Sequence, residues 1–285
     1  MKPASFTYHA PASVDEAVAL LGQYADADGR ILAGGQSLVP TMAFRLARPG
    51  HLIDINGIDA IRNISVDGDA LVIGAGVRHA AFHHPVCDGP LGALLSRVVQ
   101  DIAHFPIRMR GTFCGSLAHA DPASEWCAVA ATLDATLVAK SADGERRIAA
   151  ADFFETVMTT ALAENEMLVE ARLPILPANA KFGFNEFSRR AGDFAMTMAL
   201  AVWEDDNGGI TNARIGIGGA EDRPRRIAEA EAILNGNAPS DEIFRAAADA
   251  AADVVDPMED HATPASYRRD LVRALTRRAC EQANT

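Results

Sequence analysis

Residues 31–40 read ILAGGQSLVP, in which an apolar segment is followed by two glycines, two polar residues and more apolar residues. Glycine allows a positive φ or a close approach to a bound group, so Gly34 and Gly35 mark a permissive turn after a strand. Residues 111–116, GTFCGS, again combine glycine with small residues. Successive backbone N–H groups in such turns suit phosphate oxygens, although glycine pairs also turn chains that bind nothing. The hydroxyl donors beside these amides are Ser37, Thr112 and Ser116.

Other nucleotide and catalytic motifs do not fit this chain. The segments GAGVRH (74–79) and GIGGAE (216–221) lack the third glycine of a Rossmann fingerprint, and no G-K-[ST] follows a glycine loop. Residues Ser116, His119 and Asp121 lie too close together in sequence to indicate a hydrolase triad. A metal site built from His119, Asp121, Glu125 and Cys127 matches no ligand spacing.

Composition indicates a soluble protein of one or two domains, with 285 residues, 49% hydrophobic content and a net charge of −12. The negative charge argues against a nucleic-acid partner. The most apolar run is interrupted by Asp134 and is too short to span a membrane, and the N-terminal MKPASFTYHA has no signal-type apolar core. We therefore expect a cytoplasmic protein. The cysteines, expected as thiols, show no C-x-x-C of a zinc or iron–sulfur site: Cys87, Cys114, Cys127 and Cys280.

The first part of the chain predicts mixed helices and strands. Ser13 and Glu16 fit a capping box that opens a helix. The turn at Asp67-Gly68 predicts a hairpin, and apolar residues from Leu91 to Ile102 keep helical spacing. Residues 111–126 have no regular period and predict a long ordered loop. The predicted strands are 30–33, 52–55, 132–140 and 166–173.

The sequence pattern changes after Pro174 and Pro177, which mark a plausible domain boundary. An antiparallel sheet followed by helices is predicted beyond it. The expected strands are 182–188, 195–203 and 210–217, and the expected helices are 227–235, 241–252 and 266–281.

Seven stretches together resemble one protein family. They occur in the family's order over nearly the whole chain: AGGQSLVP (33–40), TMAFRLARPGHLIDI (41–55), IAHFPIRMRGT (102–112), RGTFCGSLAHADPASEW (110–126), ENEMLVEARLP (164–174), FSRRAGDFAM (187–196) and PASYRRDLVRAL (264–275). The chain resembles the FAD-binding medium subunit of molybdenum hydroxylases, a family that includes carbon monoxide and xanthine dehydrogenases.

The resemblance implies an α+β fold with two domains. A two-lobed FAD-binding domain of the vanillyl-alcohol-oxidase (PCMH) type would cover residues 1–176, with a small lobe at about 1–56 and a larger lobe at about 57–176. A C-terminal α/β domain with a three-stranded antiparallel sheet and helices would cover 177–285.

The resemblance also implies the residues around FAD. Two loops would wrap the pyrophosphate, mainly through backbone N–H groups, and Glu125 would lie near the ribityl–ribose portion. Phe194 would lie near the isoalloxazine ring, and Ile102 and Leu168 would lie along the flavin. The remaining cofactor-binding residues would be Ile31, Ala33, Gly34, Gly35, Gln36, Ser37, Leu38, Thr112, Cys114, Gly115 and Ser116.

Two departures from the family pattern concern cofactors. The second loop is often T-I-G-G-N in the family, whereas Cys114 and Ser116 stand here at the first glycine and the asparagine. A cysteine in place of glycine narrows the backbone conformations available there. Some relatives that use NAD carry a lysine just before the FSRR stretch, where this chain has Asn185 and Glu186. That difference argues against NAD use.

The function implied by the resemblance is electron transfer. Substrate would be oxidised at a molybdopterin cofactor on a large subunit, and two [2Fe–2S] clusters on a small subunit would pass electrons to FAD on this chain. The expected assembly is a dimer of heterotrimers. Two alternatives stay open. One is a self-contained FAD-dependent reductase of the same fold. The other is a flavin-free assembly subunit, which is considered because Cys114 replaces a glycine in the second loop.

Overall fold

The computed structural model describes residues 2–260 and 263–285. A small parallel sheet of order β1-β3-β2 opens the chain, with helices α1 and α2 between its strands. The Ser13 hydroxyl accepts a hydrogen bond from the Glu16 N–H at 3.1 Å, and the Glu16 carboxylate accepts one from the Ala12 N–H at 2.8 Å. The predicted cap is confirmed, and β1 is an additional strand. The bounds are β1 (Thr7–His9), α1 (Val14–Tyr24), β2 (Gly29–Leu32), α2 (Leu38–Ala43) and β3 (His51–Asp54).

A five-stranded antiparallel sheet follows, in the order β4-β5-β10-β6-β7, beside a two-stranded sheet of β8 and β9. The predicted hairpin is confirmed: Asp67 pairs with Ala70, and Gly68 takes a φ of 62° in the turn between them. The bounds are β4 (Ile64–Asp67), β5 (Ala70–Gly74), β6 (Thr136–Ser141), β7 (Gly144–Ala149), β8 (Phe154–Thr156), β9 (Thr159–Thr160) and β10 (Met167–Pro174).

The helices of this region correct three predictions. The predicted loop over 111–126 contains one complete helix and the start of another. The predicted strand over 132–140 begins only at Thr136, because a helix runs through Thr132 and Asp134 reverses the chain with a φ of 54°. The helical stripe ends at Val98, and Ile102 is buried beyond it. The bounds are α3 (Gly89–Val98), α4 (Phe105–Arg108), α5 (Phe113–His119), α6 (Glu125–Thr132) and α7 (Ala150–Phe153).

The C-terminal sheet and helices are confirmed. Three antiparallel strands form a meander, and a fourth strand of two residues, which was not predicted, extends the sheet. Short 3₁₀ helices complete the described elements at Ala25–Ala27, Ile55–Gly57, Asp59–Ile61 and His79–His83. The C-terminal bounds are β11 (Ala180–Phe187), β12 (Thr197–Asp206), β13 (Gly209–Gly218), β14 (Arg225–Arg226), α8 (Ala228–Leu234), α9 (Asp241–Val254) and α10 (Ala265–Ala283).

The C-terminal sheet separates two hydrophobic cores. Because side chains alternate along a strand, Met198 and Leu200 of β12 join the core of the N-terminal part, whereas Ala199 and Ala201 join the core under α8 to α10. Helix α3 packs against β11, and α6 packs against β12 and β13. The sheet is thus covered on both faces, and the N-terminal part is held against one of them.

Among the described residues, no helix has the length and apolar character needed to cross a membrane.

Candidate FAD-binding site

The first glycine loop joins β2 to α2. Gly35 takes a φ of 70°, a left-handed conformation that favours glycine. Within residues 2–260 and 263–285, the backbone N–H groups of Gly35, Gln36 and Ser37 find no hydrogen-bond acceptor. Three successive N–H groups of this kind form an anion-binding concavity. The Gln36 side chain closes the turn by donating to the Gly34 carbonyl at 3.1 Å.

The second stretch is a capped helix rather than the loop that was predicted. Thr112 is the N-cap of α5, and its hydroxyl accepts a hydrogen bond from the Gly115 N–H at 3.0 Å. Residues 77–79 hold the start of the helix, since the His79 N–H donates to the Gly111 carbonyl and the Phe113 N–H donates to the Val77 carbonyl, both at 3.0 Å. The helix is only seven residues long, so its apolar spacing gives little signal.

The structure brings the two stretches into direct contact. A Cβ atom built on Gly34 would lie 2.5 Å from the Arg110 carbonyl oxygen and 2.6 Å from the Gly111 Cα. Such distances are far below van der Waals contact, so only glycine permits this approach. A Cβ atom on Gly115 would lie 4.0 Å from the Ala33 Cβ. The two glycine segments therefore form one continuous surface.

Arg78 and Asn56 tie the two segments together, and neither was predicted from the sequence. The Asn56 side-chain amide donates to the Ala33 carbonyl at 2.7 Å. The Arg78 guanidinium donates to the Asn56 side-chain oxygen and to the Arg110 carbonyl. The guanidinium thus bonds the second segment directly, through the Arg110 carbonyl, and reaches the first segment through Asn56. Arg78 stands in the segment GAGVRH, where the only recognisable pattern is an incomplete Rossmann glycine spacing and the arginine belongs to no motif.

The His79 imidazole packs against Gly111. It is buried, and its Nδ1 accepts a hydrogen bond from the Trp126 indole N–H at 3.0 Å. Burial and the positive charges of Arg78 and Arg108 lower the pKa of His79 from 6.5 to about 4. The imidazole is therefore neutral at neutral pH, and its Nε2 carries the proton because Trp126 occupies Nδ1. A Cβ atom on Gly111 would lie 2.5 Å from that Nε2.

The Cys114 thiol does not face the surface that the two glycine segments share. It is buried and donates to the Ile73 carbonyl at 3.5 Å, and burial raises its pKa far above the ordinary value. The Cys114 backbone lies in α5, outside the positive-φ region. The narrower range of backbone conformations that cysteine allows has no cost here, because a helical position does not need the freedom of glycine.

The other predicted residues differ in burial. Ile102 and Leu168 are buried, and Glu125 is buried as the first residue of α6. Phe194 is 76% exposed in the loop between β11 and β12. The same loop contacts His104, because a Cβ atom on Gly192 would overlap that imidazole. Gly192, two residues before Phe194, therefore lies close to the segment that follows Ile102. Ile31 and Leu38 are half-buried on either side of the first loop.

Comparisons with known families and proteins identify the family of this chain. The model of the FAD-binding domain in molybdopterin dehydrogenase matches residues 4–176, and that of the CO dehydrogenase flavoprotein C-terminal domain matches residues 182–283. The chain belongs to the FAD-binding medium subunits of molybdenum hydroxylases. It is therefore an oxidoreductase subunit with an FAD-binding domain, and the predicted α+β fold class is confirmed.

Individual relatives of this medium subunit match over nearly their whole length. The 6-hydroxypseudooxynicotine dehydrogenase complex subunit alpha of Paenarthrobacter nicotinovorans is 38% identical, covering 99% of this chain and 96% of the relative. A solved carbon monoxide dehydrogenase of Hydrogenophaga pseudoflava, lacking the Mo-pyranopterin moiety, superposes with a TM-score of 0.95 at 37% identity, covering 99% and 98% of the two chains. Quinoline 2-oxidoreductase of Pseudomonas putida 86 gives 0.92 at 36% identity, covering 99% and 98%.

Proposed function

We propose that this chain is the electron-transfer subunit of a heterotrimeric molybdenum hydroxylase and holds FAD between its two glycine segments. The observation that carries the proposal is the contact of Gly34 with Gly111 beside three N–H groups that have no acceptor among the described residues. Bound FAD supplies the redox chemistry, and the protein binds and orients it. The domain division that goes with this proposal is 1–176 and 177–285.

The diphosphate of FAD would lie on the surface that the two glycine segments share. Gly35, Gln36 and Ser37 would donate backbone N–H groups to its oxygens, and Ser37 and Ser116 would add hydroxyl groups. Glu125, Ile102 and Leu168 would line the rest of the cofactor. The exposed Phe194 would cover one side of the isoalloxazine ring. Cys114 faces the core, so its backbone, and not its thiol, belongs to the cofactor site.

Partner subunits would carry the other cofactors. A [2Fe–2S] cluster needs four cysteine ligands, and the four cysteines here lie in different parts of the fold, three of them buried. In the described part of the chain, no three His, Cys, Asp or Glu side chains are placed to hold a metal ion. We therefore assign the two clusters to a small subunit. From the family resemblance we further propose that a large subunit carries the molybdopterin and that the complex is a cytoplasmic dimer of heterotrimers.

Exposed apolar side chains near the glycine segments suit contact with these partners. Large apolar side chains that stand in water usually mark an interaction surface when they occur together. In this chain they flank both segments in sequence: Val39, Phe44, Leu46, Phe105 and Met109.

Rapid mixing under anaerobic conditions tests electron transfer. The co-purified complex would be mixed with its substrate, or its clusters reduced chemically, and the flavin absorbance followed. Bleaching of the flavin after reduction of the clusters is expected. Flavin that stays oxidised while the clusters are reduced would overturn the electron-transfer role, and failure of the chain to co-purify with a molybdenum subunit would favour a self-contained reductase.

A further inference from the structure

Glu125 and Glu186 meet where the C-terminal sheet contacts the N-terminal part. Glu125 is the first residue of α6, and Glu186 stands near the end of β11. The neighbouring Asn185 points to α10, where its side-chain amide donates to Gln282 at 2.8 Å. Side chains alternate along a strand, so Glu186 points the other way, on the face where Phe184 enters the N-terminal core.

The two side chains make carboxyl-to-carboxyl contact in a buried setting. Glu125 is only 8% exposed, and its carboxyl group is in hydrogen-bonding contact with that of Glu186. Among the described residues, the buried Oε2 atom of Glu186 finds no N–H or O–H donor. Two ionised carboxylates only accept hydrogen bonds, so this contact requires that one of them keep its proton.

The surrounding charges favour retention of that proton. Burial raises the pKa of both groups, and the carboxylates of Asp101 and, for Glu125, Asp121 raise it further. Arg97 is the cation that acts on Glu186, but it is already paired with Asp101 at 2.5 Å and lies over the Phe184 ring. From α10, the neutral Gln282 is the group that bonds beside Glu186.

The proton belongs on Glu186 rather than on Glu125. The Glu125 carboxylate accepts a hydrogen bond from its own backbone N–H at the start of α6, which favours its ionised form. The buried Oε2 of Glu186, which stands on a strand, has no such donor among the described residues. The pair is therefore a carboxylate on Glu125 with a protonated carboxyl on Glu186 as its donor.

We propose that this shared proton fastens β11 to the start of α6, so that FAD retention weakens when the proton is lost at alkaline pH. The part that concerns FAD rests on the proposed function, in which Glu125 lines the cofactor. In the unfolded chain both groups ionise above about pH 4.3. The folded chain then binds more protons than the unfolded chain, so the free energy of unfolding falls as the pH rises above that value.

The test compares the wild-type chain with Glu186→Gln, whose amide donates to Glu125 but does not titrate. Unfolding by urea would be measured on the FAD-free chain from about pH 5 to about pH 9. Each proton that only the folded chain retains makes the folding equilibrium constant fall about tenfold for each pH unit. The Glu186→Gln chain lacks this proton, so its free energy of unfolding should depend on pH less steeply than that of the wild type, by up to this factor. Glu164→Gln, an exposed carboxylate, is the matched control and should keep the wild-type slope.

Two further measurements complete the test. In infrared spectra of the chain with labelled glutamate, a protonated carboxyl band should disappear at alkaline pH in the wild type and be absent from Glu186→Gln. The FAD dissociation constant should rise with pH in the wild type and change less in Glu186→Gln. The shared proton would be refuted if the wild type and Glu186→Gln showed the same pH dependence of the free energy of unfolding and the wild type showed no protonated carboxyl band. Failure of the wild type to bind FAD at any pH would instead overturn the proposed function, because the unfolding and infrared results do not involve FAD.

Discussion

Gly34 rests on Gly111 so closely that a single methyl group on Gly34 would come within 2.6 Å of the Gly111 Cα. The atoms it would meet belong to backbone, and they cannot rotate away as a side chain would. The two glycine segments can therefore form one surface only while both positions stay free of side chains. This contact makes the FAD proposal sensitive to very small substitutions.

Gly34→Ala should separate the two segments and weaken FAD binding. We expect the dissociation constant to rise at least tenfold, or about 1.4 kcal/mol, because the N–H groups no longer converge on the diphosphate. Fluorescence titration of FAD measures it. Gly22→Ala is the control, since its Cβ would meet nothing within 4 Å in helix α1. Unchanged affinity in Gly34→Ala would show that FAD does not depend on this contact.

Replacement of Arg78 should loosen both segments in a graded way. Arg78→Met removes the donors to Asn56 and Arg110 and leaves two acceptors unpaired, at a cost of about 1–3 kcal/mol each where they are buried. Arg78→Lys lacks the guanidinium fork, so the protection of its loop amides and its FAD affinity should lie between those of the wild type and those of Arg78→Met. Hydrogen exchange of the loop amides, measured with FAD affinity, checks the order. The exposed Arg245→Met is the control, and equal protection in all variants would contradict the role of Arg78.

His79 should make the chain sensitive to acid. Below about pH 6.5 the unfolded chain takes up a proton on this imidazole, whereas the folded chain takes it up only at a pKa of about 4. The unfolded state then binds more protons, so the free energy of unfolding should fall by about 3 kcal/mol between these values. His79→Gln should lose this dependence, whereas the exposed His84→Gln should keep it. Acid unfolding curves that coincide for His79→Gln and wild type would be inconsistent with a buried neutral imidazole.

The four cysteines should differ in reactivity. Burial raises the pKa of all four thiols, Cys87 included, so access to the reagent decides which one reacts first. Alkylation of the folded chain, followed by mass spectrometry, should modify only the half-buried Cys87 at an early stage. The other three should react on unfolding. Early modification of Cys114 would mean that its thiol reaches the surface and does not lie against Ile73.

Local signals in the sequence were enough to predict many of the elements. Ser13 and Glu16 lie three residues apart, and both hydrogen bonds of the cap form between near neighbours. The C-terminal strands were predicted because turn residues such as Asn207 and Gly208 separate long apolar runs. Helices α5 and α6 were missed for a different reason. All eight residues of α6 are buried, so no polar face marks its period.

The predicted site depends on contacts that no local pattern contains. The glycine segments were recognised, but their contact through Gly34 and Gly111 joins residues far apart in the chain. The link from Ala33 through Asn56 and Arg78 spans three separate segments. In the sequence Glu186 is only a departure from a lysine, and its interaction with Glu125, 61 residues earlier, arises through folding. Such side chains become neighbours through folding alone.

The cofactor content of the purified chain tests the central claim most directly. The visible spectrum of the native protein, and the flavin that acid releases from it, would be compared with the protein concentration. One FAD for each chain is expected, and Gly34→Ala should contain much less than Gly22→Ala. A colourless wild-type chain that cannot be reconstituted with FAD would contradict the account.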